Sequence, residues 1–367
     1  MSDVAILHDQ FSTFGGAERV AIQIAREFDA PIYVVTGRHP NVPDDIEIKE
    51  IGGGIGKRLS RVHYHFEDIY NMLAWQYVQE LYDYDTIIQT KTNPQWFIPQ
   101  DDQTVVRYLH STPRNLYDQH HRRGGNLLSD TLKIVQRMLY RQTVPYADQW
   151  IVNSELVQRR LGLYWNQDAT VVHPPVDTNA ATPRPADTDE PYLAVVGRLA
   201  TNKRVPLLRK VSDRVDIDVM VAGEGPHADD LQPMPSNLYH MGYVDERDKW
   251  DLLAGATGVL YLAENEDFGM VPIEAWASGT PVIGVSEGFT KYQITDGVNG
   301  YLVGANPTPE DVETGIRRLL SNGVDMDYQE LAAIADQFNP QRFRQEMRDV
   351  VDRAERDSQI EVAFDGV

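Results

Sequence analysis

Short apolar runs alternate with amphipathic helical patterns along the chain, and this alternation constrains the fold more than any other feature of the sequence. The first apolar run, at 4–9, leads into a turn at Gly15 and Gly16 and then into a helical pattern that ends near residue 28. A strand, a glycine turn and an amphipathic helix in this order open a nucleotide-type α/β domain. Because helical patterns separate several of the later runs, we expect parallel strands joined by crossover helices.

A proline-containing segment divides this pattern in two. Residues 177–191 carry three prolines and small polar residues without apolar periodicity, which is typical of a linker. Beyond it the strand-like and helix-like patterns begin again. At 367 residues the chain is long enough for two domains with separate cores. We therefore predict two α/β domains, 1–180 and 181–340, followed by a C-terminal helix at 341–367.

The composition is strongly acidic. The chain has 34 Lys and Arg against 55 Asp and Glu, a net charge of −21, and 26 of its basic residues are Arg. This skew is typical of adaptation to a high-salt cytoplasm, where hydrated carboxylates keep a protein in solution and salt screens their repulsion. It argues against a nucleic-acid binder that relies on a generally basic surface. The absence of Cys excludes disulfides, thiolate metal sites and a Cys nucleophile.

One segment departs from the acidic background. Residues 56–141 contain 11 basic and 9 acidic residues. The basic residues are concentrated in GKRLSR (56–61), in HHRRGG (120–125) with Arg122 and Arg123, and at Lys133, Arg137 and Arg141. The segment is interpreted as a surface that faces an anionic acceptor or membrane, and a set of solvated helix faces is the alternative.

The sequence also predicts where the protein works. No stretch approaches the roughly 18 apolar residues of a membrane span, and the start, MSDVAILHDQF, lacks a positively charged leader. We therefore expect a cytoplasmic protein, and any contact with the membrane is expected to be peripheral, on its cytoplasmic face.

The densest chemical pattern is AENEDFGMVPIEAWASG, in which Glu266 and Glu274 stand eight residues apart. Between them a Phe-Gly turn leads into a helical pattern. Backbone N–H groups at a helix N-terminus can meet a diphosphate, and a carboxylate one turn into the helix can accept hydrogen bonds from ribose hydroxyls. The alternative is an acidic loop before an ordinary helix, which the two glutamates alone would favour.

A second pattern, VVGRLATNKR, follows a predicted strand. Arg198 and Lys203 would lie at the carboxyl edge of the sheet, where open α/β sheets bind their ligands. Two cations at that edge suit a nucleotide diphosphate, because charge-assisted hydrogen bonds neutralise its oxygens. Solvated surface charges are the alternative.

These residues carry a resemblance to a known family. EDFGMVPIEAWASGTPVI is similar to the E-x7-E signature of the retaining GT-B glycosyltransferases of family 4 (group 1), and GRLATNKR resembles their GR-x4-K phosphate-binding element. Further motifs follow in the family's order: FGGAERV, YLHSTPR, VVHPPVD, AGEGP and DGVNGYLV. Several are most similar to O-antigen mannosyltransferase-like members. The resemblance implies two facing Rossmann-like domains with a deep cleft, the first on the acceptor side and the second binding a nucleotide sugar, and a final helix that returns to the first.

The resemblance also implies roles in donor binding. Glu274 would hold the ribose hydroxyls and Glu266 would contact hydroxyls of the donor sugar. Arg198 and Lys203 would bind the phosphates. The main-chain amides along the sugar and diphosphate would be those of Phe268, Gly269 and Met270.

Three residues of the first domain are implied as well. Gly15 and Gly16 would let the backbone approach the same phosphates. His110 would lie near the reacting sugar, with a hydrogen-bonded core histidine as the alternative.

The function implied is transfer of a hexose to a glycan or to an acceptor on a lipid carrier, in cell-surface glycan assembly or protein glycosylation. The expected donor is GDP-mannose, and UDP-glucose or another UDP-hexose is the alternative. Neither an obligatory metal nor a permanently bound cofactor is expected. A nucleotide-sugar 2-epimerase and a catalytically silent binding subunit are the other functions considered.

Overall fold

The computed structural model describes residues 3–12, 14–52, 70, 72–114, 116–118, 127–186 and 189–365. The basic segments at 56–61 and 120–125, with Arg122 and Arg123, lie outside the described residues. The chain divides into two compact units. Unit 1 comprises Met1–Pro175 and Phe343–Val367, and unit 2 comprises Val176–Arg342.

Among the described residues, unit 1 contains a sheet of seven strands: β1 (Val4–Phe11), β2 (Ile32–Arg38), β3 (Ile48–Glu50), β4 (Thr86–Thr90), β5 (Thr104–Leu109), β6 (Gln149–Val152) and β7 (Thr170–Val171). Their order is β3-β2-β1-β4-β5-β6-β7, and each pairing is parallel. The accompanying helices are α1 (Gly16–Phe28), α2 (Leu127–Gln142) and α3 (Glu155–Trp165). Short 3-10 turns occupy Gln79–Asp83, Asn93–Trp96 and Val144–Tyr146.

Both faces of this sheet are covered. Ile6 and Ile88 belong to a buried cluster on one face, whereas Leu7 and Ile87 belong to a cluster on the other. Successive side chains of a strand point to opposite faces, so the central strands need apolar residues at consecutive positions. The short apolar runs of the sequence have this physical origin.

The part of unit 2 that the structure describes repeats the arrangement with six strands: β8 (Tyr192–Val196), β9 (Asp218–Ala222), β10 (Leu238–Gly242), β11 (Gly258–Tyr261), β12 (Val282–Val285) and β13 (Gly300–Val303). They lie in the order β10-β9-β8-β11-β12-β13, again in parallel pairs. The helices are α4 (Val205–Ser212), α5 (Glu246–Gly255), α6 (Val271–Ala277), α7 (Thr290–Gln293), α8 (Pro309–Asn322) and α9 (Tyr328–Ala335). The 3-10 turns are Thr178–Ala180, Thr201–Lys203, Ala228–Leu231 and Asp336–Phe338.

The last helix, α10 (Pro340–Asp365), packs from Phe343 onward into unit 1. Phe343, Met347 and Val351 are fully buried in the same cluster as residues of α1 and β1. At the rim of this contact, Arg348 Nε donates to Glu27 Oε1 at 2.5 Å.

In each sheet, the direction in which the chain adds successive strands reverses at one pair of neighbouring strands. In unit 1 the chain runs outward on both sides of β1 and β4, and in unit 2 on both sides of β8 and β11. The loops that follow such a pair diverge to opposite faces, which opens a crevice at the carboxyl edge of the sheet.

The α/β class with two parallel sheets, expected from the sequence, is confirmed. Within the described residues, no helix combines the length and the apolar character needed to cross a bilayer.

Candidate active site

In unit 2, loops from two neighbouring strands bring Lys203 and Glu266 together. Lys203 lies after β8, and Glu266 lies after β11. The Lys203 Nζ atom donates to Glu266 Oε1 at 2.6 Å, and Asn202 Nδ2 donates to the same oxygen at 3.1 Å. The lysine side chain remains 27% exposed. The structure thus joins the lysine of one sequence motif to the first glutamate of the other.

The two arginines near Lys203 have different surroundings. Arg198, two residues after the end of β8, is exposed. Arg204 has a left-handed backbone, φ 51°, and its guanidinium donates to the Leu262 carbonyl at 2.8 Å and to the Glu287 carboxylate. Arg204 therefore ties together the loops that follow β8, β11 and β12. The sequence patterns did not single it out.

Phe268, Gly269 and Met270 form the turn before the seven-residue helix α6. The Phe268 ring is buried and stacks on Phe289, with 5.5 Å between ring centroids. Gly269 has φ 85°, and a Cβ at this position would lie 2.8 Å from the Tyr261 hydroxyl oxygen. Only glycine therefore lets the turn pass so close to Tyr261. Burial, with a smaller contribution from the Glu266 charge, raises the pKa of Tyr261 well above its usual value, so its hydroxyl stays protonated as a hydrogen-bond donor.

Glu274, on α6, is held in a buried ion pair. Its Oε1 atom accepts a hydrogen bond from Lys249 Nζ at 2.8 Å, and the two side chains are 7% and 8% exposed. Lys249 also donates to Glu246, at 2.9 Å, on the exposed side of α5. The sequence singled out Glu274 but not Lys249, which precedes it by 25 residues on another helix.

In unit 1, one buried carboxylate joins the glycine turn to the end of β4. Gly15 is the N-cap residue of α1, and Gly16 is its first residue. The Gly15 N–H donates to Glu18 Oε2 at 2.9 Å, and Lys91 Nζ donates to Glu18 Oε1 at 2.5 Å. Glu18 is only 4% exposed. Burial alone would raise its pKa, but the hydrogen bond to His8 and the Lys91 charge outweigh burial and hold the pKa well below its usual value.

His8 and Asp9, in the second half of β1, lie beside this ion pair. The His8 Nδ1 atom is 2.6 Å from Thr90 Oγ1, and its Nε2 atom is 3.5 Å from Glu18 Oε1. Burial lowers the pKa of His8 to about 4, so the ring is neutral at pH 7. Burial raises the pKa of Asp9 to about 7, although the Lys91 charge opposes this shift. Asp9 is therefore a carboxyl group that gains or loses its proton near neutrality.

His110 follows β5 at the same carboxyl edge. Burial, together with the His8 and Lys91 charges, lowers its pKa to about 3. Its Nε2 atom is buried and has no hydrogen-bond partner among the described residues. The ring lies against Tyr108, with 5.0 Å between centroids. The ring is therefore neutral at pH 7, and the position of His110 near the reacting sugar stays a prediction, with a core histidine as the alternative.

The sequence analysis missed His8, Asp9, Glu18 and Lys91. A signal existed for Glu18, because a carboxylate three residues after an N-cap is the second half of a capping box. Lys91 comes directly after a strand of the switch-point pair, but strand order was not known from the sequence. Among the residues that the structure describes, no group of three or more His, Asp or Glu side chains is arranged to hold a metal ion.

Both halves of the chain match families of known proteins. Residues 14–180 match the family described as Glycosyltransferase Family 4, and residues 178–338 match the one described as Glycosyl transferases group 1. In unit 1, Gly15, Glu18, Lys91 and His110 fall within the first match, whereas His8 and Asp9 precede it. The Lys203–Glu266 pair falls within the second match.

Curated relatives match part of the chain. D-inositol 3-phosphate glycosyltransferase of a Mycobacterium species (strain KMS) is 33% identical over 208 residues, 50% of this chain and 47% of that protein. GDP-mannose-dependent alpha-mannosyltransferase of Corynebacterium glutamicum is 36% identical over 108 residues, 29% of this chain and 26% of that protein. The match to the first relatives thus spans about half of their length.

Solved structures match nearly the whole chain. HepE of Anabaena, in complex with UDP and glucose, superposes with a TM-score of 0.75 at 17% identity, covering 96% of this chain and 100% of HepE. Sucrose-phosphate synthase from Thermosynechococcus elongatus gives a TM-score of 0.74 at 17% identity, covering 96% and 99%. At this identity the likeness shows the fold.

Proposed function

Because the chain belongs to the group 1 glycosyltransferases, with a family 4 module in its first half, we propose that it is a nucleotide-sugar-dependent hexosyltransferase. It moves a hexose, mannose in the first instance, from a nucleotide diphosphate to a hydroxyl group of a glycan or a lipid-linked acceptor. The observation that carries the proposal is the Lys203–Glu266 pair at the carboxyl edge of β8 and β11.

Donor binding explains the arrangement of unit 2. Arg198 and Lys203 bind the diphosphate, and Lys203 exchanges Glu266 for a phosphate oxygen when the donor enters. Glu266 then accepts hydrogen bonds from hydroxyls of the sugar. The main chain of the turn, at Phe268, Gly269 and Met270, follows the sugar and diphosphate. Glu274, fixed in orientation by Lys249, accepts hydrogen bonds from the ribose.

The reaction needs no protein nucleophile. The bond between the anomeric carbon and the phosphate oxygen breaks, and the acceptor oxygen bonds to that carbon on the face that the diphosphate leaves, with retention of configuration. The departing phosphate oxygen takes the proton of the acceptor hydroxyl. Arg198 and Lys203 stabilise the charge that develops on the leaving group, and such fixed cations are a major source of catalysis.

GDP-mannose is proposed as the donor because one relative, 36% identical over 108 residues, is named a GDP-mannose-dependent alpha-mannosyltransferase. A UDP-hexose is the alternative, since HepE has been solved with UDP and glucose.

Calorimetric titration tests the donor assignment. We expect saturable binding of GDP-mannose with a Kd of about 1 μM to 1 mM, and weaker binding of GMP, which lacks the second phosphate for Lys203. Incubation of the bound donor without acceptor should give slow hydrolysis to mannose. An epimerised sugar nucleotide would instead indicate a 2-epimerase, and binding without any turnover would indicate a silent subunit. If neither GDP-mannose nor UDP-glucose binds, the proposal is wrong.

The surface of α2 supports a peripheral contact with an anionic membrane. Its large apolar residues point outward, between 41% and 62% exposed: Leu132, Ile134, Val135, Met138 and Leu139. Its polar side faces the protein instead, since Arg137 Nε donates to the Leu116 carbonyl at 2.5 Å and Tyr140 lies 5.1 Å from the Trp96 ring. Arg141, at the end of α2, is also exposed, and an outward apolar face beside a basic residue is a form in which helices lie in an anionic bilayer surface.

Vesicle sedimentation tests this contact. The protein should bind phosphatidylglycerol vesicles, and the double variant Ile134→Asp/Met138→Asp should bind about tenfold more weakly because it places charge in the apolar face. The matched control, Met234→Asp/Leu320→Asp, changes two exposed apolar residues of unit 2 and should bind normally. Equal binding of all three proteins would contradict the proposed contact.

A further inference from the structure

Each unit places a lysine at the carboxyl edge of its switch-point strands and pairs it with a glutamate. The unit 2 pair is Lys203–Glu266, at 2.6 Å, and the unit 1 pair is Lys91–Glu18, at 2.5 Å. The two lysine side chains are similarly exposed, 27% and 24%. The glutamates differ, because the Glu266 side chain is 21% exposed and that of Glu18 only 5%. A ligand that reaches the unit 1 pair therefore meets the lysine side chain and little of the carboxylate.

The backbone conformation of Lys91 also indicates that its side chain is needed at this position. Its φ of 64° lies in the left-handed region, where glycine or asparagine is favoured over a long side chain. Such a backbone conformation at a functional edge points to a side chain that is needed there. The residue follows β4 directly, so its ammonium is presented beside the glycine turn.

The charge of Glu18 has a purpose beyond capping the helix. A glutamine could also accept the hydrogen bond from the Gly15 N–H through its amide oxygen. The full negative charge of a glutamate strengthens the contact with the Lys91 ammonium in particular, because charge-assisted hydrogen bonds are about twice as strong as neutral ones. An ammonium has three N–H groups, and Glu18 accepts from one of them, which leaves donors for a ligand on the exposed side.

We propose that Lys91 is a substrate-binding residue that donates hydrogen bonds to a phosphate oxygen, and that Glu18 is the positioning residue that aims it. Glu18 holds the Lys91 ammonium and the Gly15 main chain at a fixed separation, so that the glycine turn and the cation present one surface. The proposal rests on the proposed function, and it adds a third phosphate-binding cation to Arg198 and Lys203. The phosphate belongs either to the nucleotide sugar or to the acceptor.

Steady-state kinetics of the full chain distinguish the two sources. If the phosphate belongs to the donor, Lys91→Met should raise the KM for GDP-mannose hydrolysis without acceptor at least about tenfold. If it belongs to the acceptor, that KM is unchanged, and Lys91→Met abolishes the binding of inorganic phosphate to protein saturated with GDP. Lys49→Met, which removes another half-buried lysine of unit 1, is the matched control and should change neither.

Glu18→Gln tests the positioning role. It should shift the same constant as Lys91→Met, and the double variant Glu18→Gln/Lys91→Met should be no worse than Lys91→Met alone, because Glu18 acts through Lys91. Additive effects, or a lower Tm with unchanged constants, would show that Glu18 is only structural. If Lys91→Met changes neither constant, the proposal is overturned. GDP binding to the wild type is measured separately, so a failure of the proposed function is recognised as such.

Discussion

Replacing Lys203 with alanine is expected to lower kcat by about two to three orders of magnitude, with a smaller effect on KM. The ammonium stabilises charge on the leaving diphosphate, and that charge is largest in the transition state. Before the donor binds, the same ammonium is satisfied by Glu266, at 2.6 Å. In the wild type, part of the donor's binding energy is used to break the Lys203–Glu266 contact, so the loss of Lys203 changes KM little. The stabilisation of the transition state by Lys203 is lost entirely in the variant, so kcat falls.

The stability of this variant should change little. The Lys203–Glu266 pair is partly exposed, and such pairs contribute about 1 kcal/mol or less. Glu266 also keeps its hydrogen bond from Asn202, at 3.1 Å. Lys210→Ala, an exposed lysine on the nearby helix α4, is the matched control and should retain full turnover. Near wild-type kcat in Lys203→Ala, measured with the donor that binds, would show that Lys203 does not act on the leaving group.

The sequence predicted the separate parts of the unit 2 site better than their contacts. The spacing of Arg198 and Lys203 after an apolar run identified a loop at a strand end, and the Glu266–Glu274 spacing identified a second loop and helix. The pairing of Lys203 with Glu266 bridges 63 residues and depends on β8 lying next to β11. Strand order is decided by the packing of the whole sheet, so no local sequence pattern predicts it.

Unit 1 shows a different reason for incomplete prediction. The glycine turn and His110 were recognisable from motifs, but the residues around them are single side chains on β1, after β4 and on α1. Glu18 looks like an ordinary charge on an amphipathic helix until burial is known, and it is 4% exposed. The orientation of α2 was equally hidden, because an amphipathic pattern shows that a helix has an apolar side but not that this side faces solvent.

The buried Lys249–Glu274 pair should have the largest effect on stability. Lys249→Met is expected to lower the free energy of unfolding of unit 2 by about 3 kcal/mol or more, because it leaves the Glu274 carboxylate, 7% exposed, without its cation. Glu274→Met should cost less, since Lys249 keeps its hydrogen bond to Glu246, at 2.9 Å. Urea denaturation followed by tryptophan fluorescence measures both. The control is Lys291→Met, an exposed lysine of α7, which should stay within about 0.5 kcal/mol of the wild type.

The double variant Lys249→Met/Glu274→Met separates the structural contribution of this pair from its contribution to binding. Replacing a whole buried ion pair with apolar residues of similar size is often neutral or stabilising, so most of the lost stability should return. Nucleotide affinity should not return with it, because the carboxylate proposed to accept hydrogen bonds from the ribose is absent. We expect the double variant to bind GDP at least about tenfold more weakly than the wild type, while the unfolding free energies of the two proteins differ by about 1 kcal/mol or less. If the double variant recovers stability and GDP affinity together, Glu274 holds α5 to α6 and the ribose is bound elsewhere.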